Sequence, residues 1–412
     1  MGFIQFLIDP VTFIARWLQM LLAGWGVPAG WTQFILFVLG AGALGTGALM
    51  FTIALIWFER KLIGRFQDRF GPNRVGPWGI FQPFADMGKI FTKEYITPDG
   101  ADPVPFYLAP ILVVMSVVSL WAVIPFTLTV VGVELNVGVL YIIGIGGIGE
   151  LAIIFAGWGS NNKYAMLAAF RALAQLISYE VPMVIALLVP VMFAGKMGLN
   201  DIARAQDIWY IVLCPLAALI FFITSTAENG RTPFDLLEAD SELVAGFNIE
   251  YSGLRFGFYY VADFLHAFTI GLLFAILFLG GWRGPFVEQV PVLGVFYLFA
   301  KAGIVYFIGN WMRASLPRFR IDQMMDINWK ILTPTALVLV MLTAVVDKLI
   351  ASELLYLQAA VLFVLNVVLL VVIGKVIDWY WAHRPRPKVV ATPRPVARYE
   401  RSSAQSHPGA GQ

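Results

Sequence analysis

The sequence predicts an all-α integral membrane protein with about nine transmembrane helices, an N-terminal interfacial helix and a cytoplasmic-side amphipathic helix. Three observations carry this prediction. Of the 412 residues, 59% are hydrophobic and only 13% are charged, about half the charged share of an ordinary soluble protein. Nine apolar stretches are each long enough to cross a bilayer as a helix, which takes about 20 residues. Positive charge is concentrated in alternate connections between these stretches.

The first element is a short apolar stretch, 11–26, which contains Arg16, Trp17 and Trp25. It is too short to span a bilayer, and it lacks the basic start and the cleavage site of a signal peptide. We therefore expect a helix that lies at the membrane interface. The predicted spans that follow are 31–58, 104–129, 137–157, 174–194, 208–227, 258–281, 290–311, 331–350 and 353–379.

The first long connection contains a second interfacial element. Apolar residues recur near helical spacing from Ile80 to Phe91, while Asp86 and Lys89 take other positions around the axis. This pattern predicts an amphipathic helix over 78–93 on the inner membrane surface. It could serve as a simple anchor or as one wall of a lipid-side opening, and periodicity alone favours the anchor.

The distribution of basic residues predicts the orientation of the chain. The connections 59–103, 158–173, 228–257 and 312–330, together with the C-terminal end, hold 22 of the 28 lysines and arginines. The face with the excess of positive charge is cytoplasmic, which places the N-terminus outside and the C-terminus inside. Residues 384–412 carry six basic residues, one acid and five prolines, a composition typical of a disordered basic tail.

The rare residues exclude several kinds of redox site within this chain. There is one cysteine, Cys214, whereas an iron–sulfur cluster ordinarily needs about four cysteine ligands. Of the three histidines, only His266 lies in a predicted span, so a haem held by paired membrane histidines is excluded. No glycine-rich dinucleotide motif and no P-loop occurs. Another chain must therefore supply any redox centre or energy source.

Two further inner connections are rich in charge. The connection 228–257 holds six acids and two arginines, interleaved with apolar residues such as Phe234 and Phe247. It could form a solvated acidic face or a partly buried one. The connection 312–330 holds Arg313, Arg318 and Arg320, which suit either topological anchors or a docking site for a partner or a lipid headgroup.

Four carboxylates fall at similar depth in consecutive predicted helices. Glu150, Glu180 and Asp263 each lie roughly 8–10 Å from the inner end of a span, and Glu228 lies at such an end. Ionisable groups at this depth are costly and usually face a partner or a proton path. We expect them to titrate as a coupled set. Isolated structural pairing stays open, with these possible counter-charges: Lys301 and His266.

Together these segments resemble the H-type membrane subunit of the proton-translocating NADH–quinone oxidoreductase, respiratory complex I. The resemblance rests on four motifs in the right order. They are Glu59–Glu94, Arg171–Pro182 with its Ile-Ser-Tyr-Glu-Val-Pro, Glu228–Gly253 and Arg313–Pro334. It implies an eight-span domain over 1–350. The additional C-terminal transmembrane helix over 351–380 and the basic cytoplasmic tail over 381–412 are predicted from composition and form an extension whose role the resemblance does not cover.

The resemblance also implies roles for individual residues. Such a protein would form much of the chamber through which quinone approaches the last iron–sulfur cluster, and it would link quinone reduction to proton translocation. Its quinone-chamber and loop residues carry over to Arg60, Arg69, Asp86, Arg231, Asp235, Glu238 and Glu250. Its proton-pathway carboxylates carry over to Glu150, Glu180, Glu228 and Asp263.

This sequence departs from the family pattern at three positions. Leu237 stands where a proline is usual, and Asp240 and Asp263 replace glutamates. The shorter side chain of Asp263 puts the geometry of that member of the proton pathway in question.

The same resemblance defines the expected cofactors and partners. This chain would bind no redox cofactor and would take quinone as substrate, while FMN and iron–sulfur clusters would belong to partner subunits. The partners would be cluster-bearing subunits of the peripheral arm, small subunits of the membrane arm and membrane lipids, with no nucleic acid. The expected location is the cell (inner) membrane.

Two alternatives remain at the level of sequence. A homologous subunit of a membrane-bound hydrogenase or related dehydrogenase would share these motifs but use another electron donor, which other chains decide. A free-standing ion transporter would work without partners, and it leaves the long, patterned inner connections unexplained.

Overall fold

The structure is a computed structural model that describes residues 9–236, 244, 246–350 and 355–383. Apart from one isolated bridge between Pro125 and Val131, the regular structure in these residues is helical. Its α-helices are α1 (Pro10–Gly24), α2 (Ala29–Phe66), α3 (Gln82–Thr92), α4 (Pro103–Trp121), α5 (Gly138–Gly159), α6 (Lys163–Ala194), α7 (Leu199–Ala205), α8 (Tyr210–Leu213), α9 (Pro215–Glu228), α10 (Gly253–Phe278), α11 (Val292–Ser315), α12 (Ile321–Ile327), α13 (Thr333–Leu349) and α14 (Leu355–His383).

Within the described ranges, 8 helices are long and apolar enough to cross a bilayer, which confirms the predicted all-α membrane fold. They are α2, α4, α5, α6, α10, α11, the continuous segment Ile321–Leu349 and α14. That segment consists of α12, a π-helical turn over Asn328–Leu332, and α13.

The fifth predicted span, 208–227, is not one helix, and this part of the prediction was wrong. α8 and α9 are separated at Cys214, whose backbone is non-helical (φ −133°, ψ 70°). Proline lacks an N–H and disfavours the helical conformation in the residue before it, so Pro215 ends α8 and begins α9. With 14 residues, α9 is about 21 Å long, shorter than the hydrocarbon core of about 30 Å.

Several helix limits differ from the predicted ones. α4 ends at Trp121 instead of 129, and the segment Ile321–Leu349 begins ten residues before 331. Two further differences concern the site. α2 continues to Phe66 instead of ending at residue 58, so Glu59 lies inside a helix. α6 begins at Lys163 instead of 174, because the side chain of Asn162 caps it by accepting the N–H of Tyr164 at 2.9 Å. The predicted connection 158–173 is therefore mostly helical.

Both predicted interfacial elements are helices. The carboxylate of Asp9 caps α1 by accepting the N–H of Thr12 at 3.2 Å. In α3, Pro83 occupies the first turn, where a proline is tolerated. α3 packs against α2 and α10 and leaves Phe84 and Phe91 exposed. Exposed phenylalanines are consistent with the predicted position at a membrane surface, which stays a prediction.

The connections fall at two ends of the bundle. At one end, the N–H of Phe319 donates to the carbonyl of Pro233 at 3.0 Å. At the other end, Nδ2 of Asn200 donates to Glu134 at 3.0 Å. The first end, the loop-bearing end, carries 67–102, 229–236, 246–252 and 316–320, and the opposite end carries 122–137, 195–209 and 279–291.

α10 is the central column of the bundle. In its most apolar window 72% of the residues are buried, against 6% for α2 at the periphery. Nε1 of Trp121 in α4 donates to Oγ1 of Thr269 in α10 at 2.8 Å. The rings of Phe51, Phe268 and Phe299 pack around the same tryptophan. The site described below lies along this column.

Candidate functional site

A cavity of about 210 Å³ lies among α4, α5, α9 and α10, next to the connection that follows α9. Its wall mixes apolar side chains with ionisable ones, as ligand cavities commonly do. Six of the predicted site residues line it: Glu150, Glu228, Arg231, Asp235, Asp263 and His266. Asp263 faces this space directly, since its side chain stays 45% accessible.

A second, smaller cavity of about 30 Å³ continues between α5, α6, α9 and α10. Glu180 lines this cavity, and Glu228 and His266 line both cavities. The structure therefore gathers the four predicted pathway carboxylates around two neighbouring spaces. Glu228 stands between the space that contains Glu150 and the space that contains Glu180.

The carboxylate of Glu228 approaches α5 closely. A Cβ built on Gly146 would lie 3.8 Å from Oε1 of Glu228. Gly146 precedes Glu150 by about one helical turn, so the two acids face the same region of the bundle. The missing side chain of Gly146 leaves room for this approach.

Arg231 is the centre of a buried ionic network beside the large cavity. Its Nη1 donates to Oε2 of Glu59 at 2.9 Å and to Oδ1 of Asn310 at 3.0 Å, and its Nη2 donates to Oδ2 of Asp263 at 3.4 Å. Burial alone would lower the pKa of Arg231, but Asp263 and Glu59 together hold it above its ordinary value. The guanidinium therefore stays charged.

Glu59 is the second centre of this network. Its carboxylate accepts hydrogen bonds from Arg231, from Nη1 of Arg313 and, at 2.8 Å, from the hydroxyl of Tyr306. Glu59 is only 2% exposed. Burying an unpaired charge costs several kcal/mol, and here two arginines face the two carboxylates of Glu59 and Asp263. The pairing thus stabilises the buried charges of Glu59 and Arg231, each of which also contacts a partly exposed partner, Arg313 and Asp263.

The turn that carries Arg231 is fixed by a neighbouring helix. Gln175 of α6 is fully buried, and its Nε2 donates to the carbonyls of Ala227 at 2.7 Å and Phe234 at 2.8 Å. One amide therefore holds both ends of the turn. Gly230 adopts a left-handed conformation inside it (φ 61°), which favours glycine.

Sequence reasoning missed Glu59, Tyr306, Asn310 and Arg313 as members of the site. Glu59 lies one residue beyond the predicted end of the first span, and Arg313 lies in a predicted connection. The usable signal was the continued helical pattern after residue 58, because helix continuation puts an acid inside the bundle and requires a cationic partner there.

Four predicted chamber residues lie outside both cavities. Arg60 of α2 pairs with Asp86 of α3, Nε of Arg69 donates to Gln67 at 2.7 Å, and Glu250 accepts from Nδ2 of Asn162 at 2.7 Å. The first contact joins α2 to α3, the second lies within one connection, and the third joins two connections at the loop-bearing end. Glu238, and with it Leu237 and Asp240, lies outside the described residues.

Lys301 is not a counter-charge for the acids. Its Nζ donates to the carbonyls of Leu279, Gly281 and Arg283 at 2.8–2.9 Å, and it stacks on the ring of Trp209. All of these partners belong to the opposite end of the bundle. The flexible stem of lysine reaches a turn that offers three carbonyl acceptors, so Lys301, a possible counter-charge on the sequence, bonds to this turn instead of to the acids.

Within the residues that the structure describes, no group of three or more His, Cys, Asp and Glu side chains could hold a metal ion. The thiol of Cys214 is buried and forms no disulfide. The titratable side chains that line the two cavities are carboxylates, arginines, tyrosines and one histidine.

Fold and site together define a multi-pass membrane protein whose helical bundle encloses paired and clustered charges at one end. Comparison with known proteins identifies the family. The family model for NADH dehydrogenase matches residues 39–344. The H subunit of the NADH-quinone oxidoreductase of Dehalococcoides mccartyi strain CBDB1 is 44% identical over 315 residues, which is 76% of this chain and 87% of that protein.

Two further relatives with the same name agree. The H subunit of Geobacillus sp. strain WCH70 is 43% identical over 77% of this chain and 96% of its own length. The first of the numbered H subunits of Geobacter metallireducens is 46% identical over 70% of this chain and 89% of its own length. The chain belongs to the family of NADH-quinone oxidoreductase H subunits and is a membrane subunit of this enzyme complex, respiratory complex I.

Proposed function

We propose that this chain forms much of the quinone chamber of complex I and couples quinone reduction to proton translocation through its buried carboxylates. One observation carries the proposal. Glu228 lines both the large cavity, next to Arg231 and Asp263, and the small cavity, next to Glu180. A charge change beside the large cavity thus acts directly on a group that also belongs to the small one.

The walls of the large cavity support the quinone assignment. Leu120, Val117 and Tyr260 offer apolar surface to a lipid-soluble molecule, while Arg231 supplies fixed positive charge nearby. A quinone that accepts two electrons must also bind two protons to become a quinol. The electrons would come from an iron–sulfur cluster of a neighbouring subunit, fed by FMN in another.

The carboxylates would respond to this proton uptake by changing their own protonation. Adjacent carboxylates in a low-dielectric interior cannot all ionise, so they share protons and titrate as a coupled set. Proton uptake by the quinone shifts the charge on Asp263 and Glu228. Through the shared wall of the two cavities this shift reaches Glu180 and Glu150, which belong to α6 and α5.

The remaining parts of the proposal concern the membrane. The loop-bearing end faces the cytoplasm, because the basic connections lie there, and the N-terminus lies outside. The chain sits in the cell (inner) membrane as a domain over 1–350, a further helix over 351–380 and a basic tail over 381–412. Its partners are cluster-bearing subunits of the peripheral arm and small subunits of the membrane arm.

The test is the Glu180→Gln substitution in the assembled complex, because glutamine keeps the shape of the side chain but cannot titrate. We expect quinone-linked turnover and proton pumping to fall by about tenfold, while NADH oxidation by an artificial acceptor is preserved. Glu134→Gln is the matched control, since Glu134 pairs with Asn200 at the opposite end of the bundle. Full coupled pumping by the Glu180→Gln enzyme would contradict the proposal.

Identification of the co-purifying subunits tests the assignment of the electron donor. Subunits that bind FMN and iron–sulfur clusters, recovered in constant ratio with this chain, support NADH as the donor. Recovery with a nickel-containing subunit instead would indicate the hydrogenase alternative.

A further inference from the structure

The helix that carries Glu228 has an unusual beginning. α9 starts at Pro215 in the interior of the bundle, directly after the non-helical Cys214. The first N–H groups of a helix have no partner within the helix, and a bilayer interior offers no water to satisfy them. Cys214 occupies the N-cap position without a side-chain cap. The start of α9 therefore needs a hydrogen-bond acceptor from elsewhere.

α14 supplies this acceptor. Oδ1 of Asn366 accepts the N–H of Leu216, in the first turn of α9, at 3.3 Å. Nδ2 of the same side chain donates to the carbonyl of Leu362 at 2.8 Å and lies 3.8 Å from Sγ of Cys214. Asn366 is only 1% exposed. Asn366 therefore caps the start of α9, as an N-cap residue would, although it belongs to α14.

The packing of α14 agrees with this role. Gln358, Leu362 and Asn366 are spaced four residues apart, so they form one stripe along the helix, and all three are buried. α14 packs against α8, α9 and α13, that is, on both sides of the break at Cys214. The opposite face, with Val364 and Val368, is exposed, as expected for a face that meets lipid.

The other end of α9 is also held by a side-chain amide. Gln175 of α6 donates to the carbonyl of Ala227, the residue before Glu228, at 2.7 Å. α9 is thus a short rigid rod fixed at both ends, by Asn366 at its start and by Gln175 at its finish. Because α9 is one continuous helix of about 21 Å, we expect a shift of its start to tilt the whole helix and move the carboxylate of Glu228.

We propose that α14 braces the interrupted segment formed by α8 and α9, and that Asn366 is a positioning residue for Glu228. The matched family region ends at residue 344, before α14 begins, so the brace belongs to the extension of this chain. The effect on coupling rests on the proposed function of Glu228, whereas the bracing of α9 does not.

The first experiment measures the brace itself. Hydrogen–deuterium exchange is followed at the amide of Leu216 in the assembled complex, for the wild-type chain and for Asn366→Leu. Loss of one hydrogen bond should speed this exchange by roughly three- to tenfold. Asn366→Asp retains an oxygen acceptor at the positive end of α9 and should restore slow exchange. Unchanged exchange in Asn366→Leu would overturn the brace.

A matched control lies on the same stripe of α14. Gln358 donates to Oδ1 of Asp347 in α13 at 2.8 Å and does not contact the break. Gln358→Leu should therefore leave exchange at Leu216 unchanged. If Asn366→Leu prevents assembly because of its bulk beside Cys214, Asn366→Ala removes the same acceptor without adding volume, and the same comparison applies.

The second experiment measures positioning. Asn366→Leu should lower the number of protons pumped per quinone reduced, with artificial-acceptor activity unchanged and with recovery in Asn366→Asp. One outcome would contradict the positioning role. If Asn366→Leu exchanges faster at Leu216 but pumps like the wild type, while Glu228→Gln loses pumping, then Asn366 holds α9 without positioning Glu228. If Glu228→Gln pumps normally, the proposed function fails, and the exchange measurement still decides the brace.

Discussion

The two ends of the bundle each hold a cation, buried in the case of Arg231 and half-buried in the case of Lys301, and the two have different partners. Arg231, at the loop-bearing end, is held by the side chains of Glu59, Asp263 and Asn310 beside a large cavity. Lys301, toward the opposite end, is held by three backbone carbonyls. Carbonyl dipoles are permanent, whereas carboxylates gain and lose protons. The first environment can change its charge during a reaction, and the second only holds a turn in place.

The largest expected effect comes from removing the cation of the first environment. Arg231→Met leaves Glu59 and Asp263 without their shared partner, which costs about 3–5 kcal/mol when a buried ion pair is broken. We expect quinone-linked turnover to fall at least about tenfold, with NADH oxidation by an artificial acceptor preserved. Equal loss of both activities would indicate failed assembly, and Arg231→Lys, which keeps the charge, should be the milder change.

The next effect concerns Glu59, which sequence reasoning missed. Glu59→Gln removes one negative charge from a network with Arg231 and Arg313, and charge-assisted hydrogen bonds are worth about 1.5–3 kcal/mol. We expect a smaller fall in quinone-linked activity than in Arg231→Met. In a double-mutant cycle with Arg313→Gln the two effects should not add, because both groups belong to one network. Strict additivity would show that they act independently.

A smaller effect, of a different kind, is expected for Lys301. Lys301→Met removes three hydrogen bonds from the carbonyls of the turn after α10, and we expect a loss of about 2 kcal/mol in stability. The midpoint of thermal dissociation of the complex measures it. Turnover at moderate temperature should be unchanged. Lys196→Met, which removes an exposed pair with Asp201, is the control. If Lys301→Met lost pumping without losing stability, Lys301 would have a functional role like that of Arg231, and the proposed difference between the two cations would be wrong.

The smallest effect is expected from deleting residues 384–412. The sequence of this segment has no apolar periodicity, and each of its basic residues contributes on the order of 1 kcal/mol of attraction to anionic lipid. Turnover and pumping should stay within about twofold of the full-length chain. Weaker association with anionic vesicles would be the only expected change. Clear loss of turnover in a normally assembled complex would assign this segment a role in catalysis.

Much of the architecture could be predicted from sequence because hydropathy is a local property. The apolar stretches identified the bundle, the alternation of basic connections separated its two ends, and Pro83 in the first turn did not obscure α3. The sequence also placed Glu150, Glu180 and Asp263 at similar depth. That prediction needed only helix rise and span ends, and the cavities that the three acids line are consistent with it.

Predictions of helix limits and partners were less successful. Hydropathy cannot show that α2 continues through Glu59, because the polar residues after position 58 look like a connection until their partners are known. It also cannot distinguish a continuous span from one interrupted at Cys214, since both are equally apolar. Arg231, distant in sequence, decides the environment of Glu59. The break at Cys214 has a local cause in Pro215, and the distant Asn366 supplies the acceptor for the new helix start.

The sequence by itself determined the class of protein, its helical architecture and the family to which it belongs, because each of these depends on composition, periodicity or motifs read along the chain. Only the tertiary structure decided which charges meet. In the folded bundle Arg231 pairs with Glu59 and Asp263, Lys301 donates to three backbone carbonyls, and Glu228 lies between two cavities. A buried charge pairs with a residue on whichever helix packs beside it. Helices that pack together can be far apart in sequence, so the sequence does not show which charges will pair.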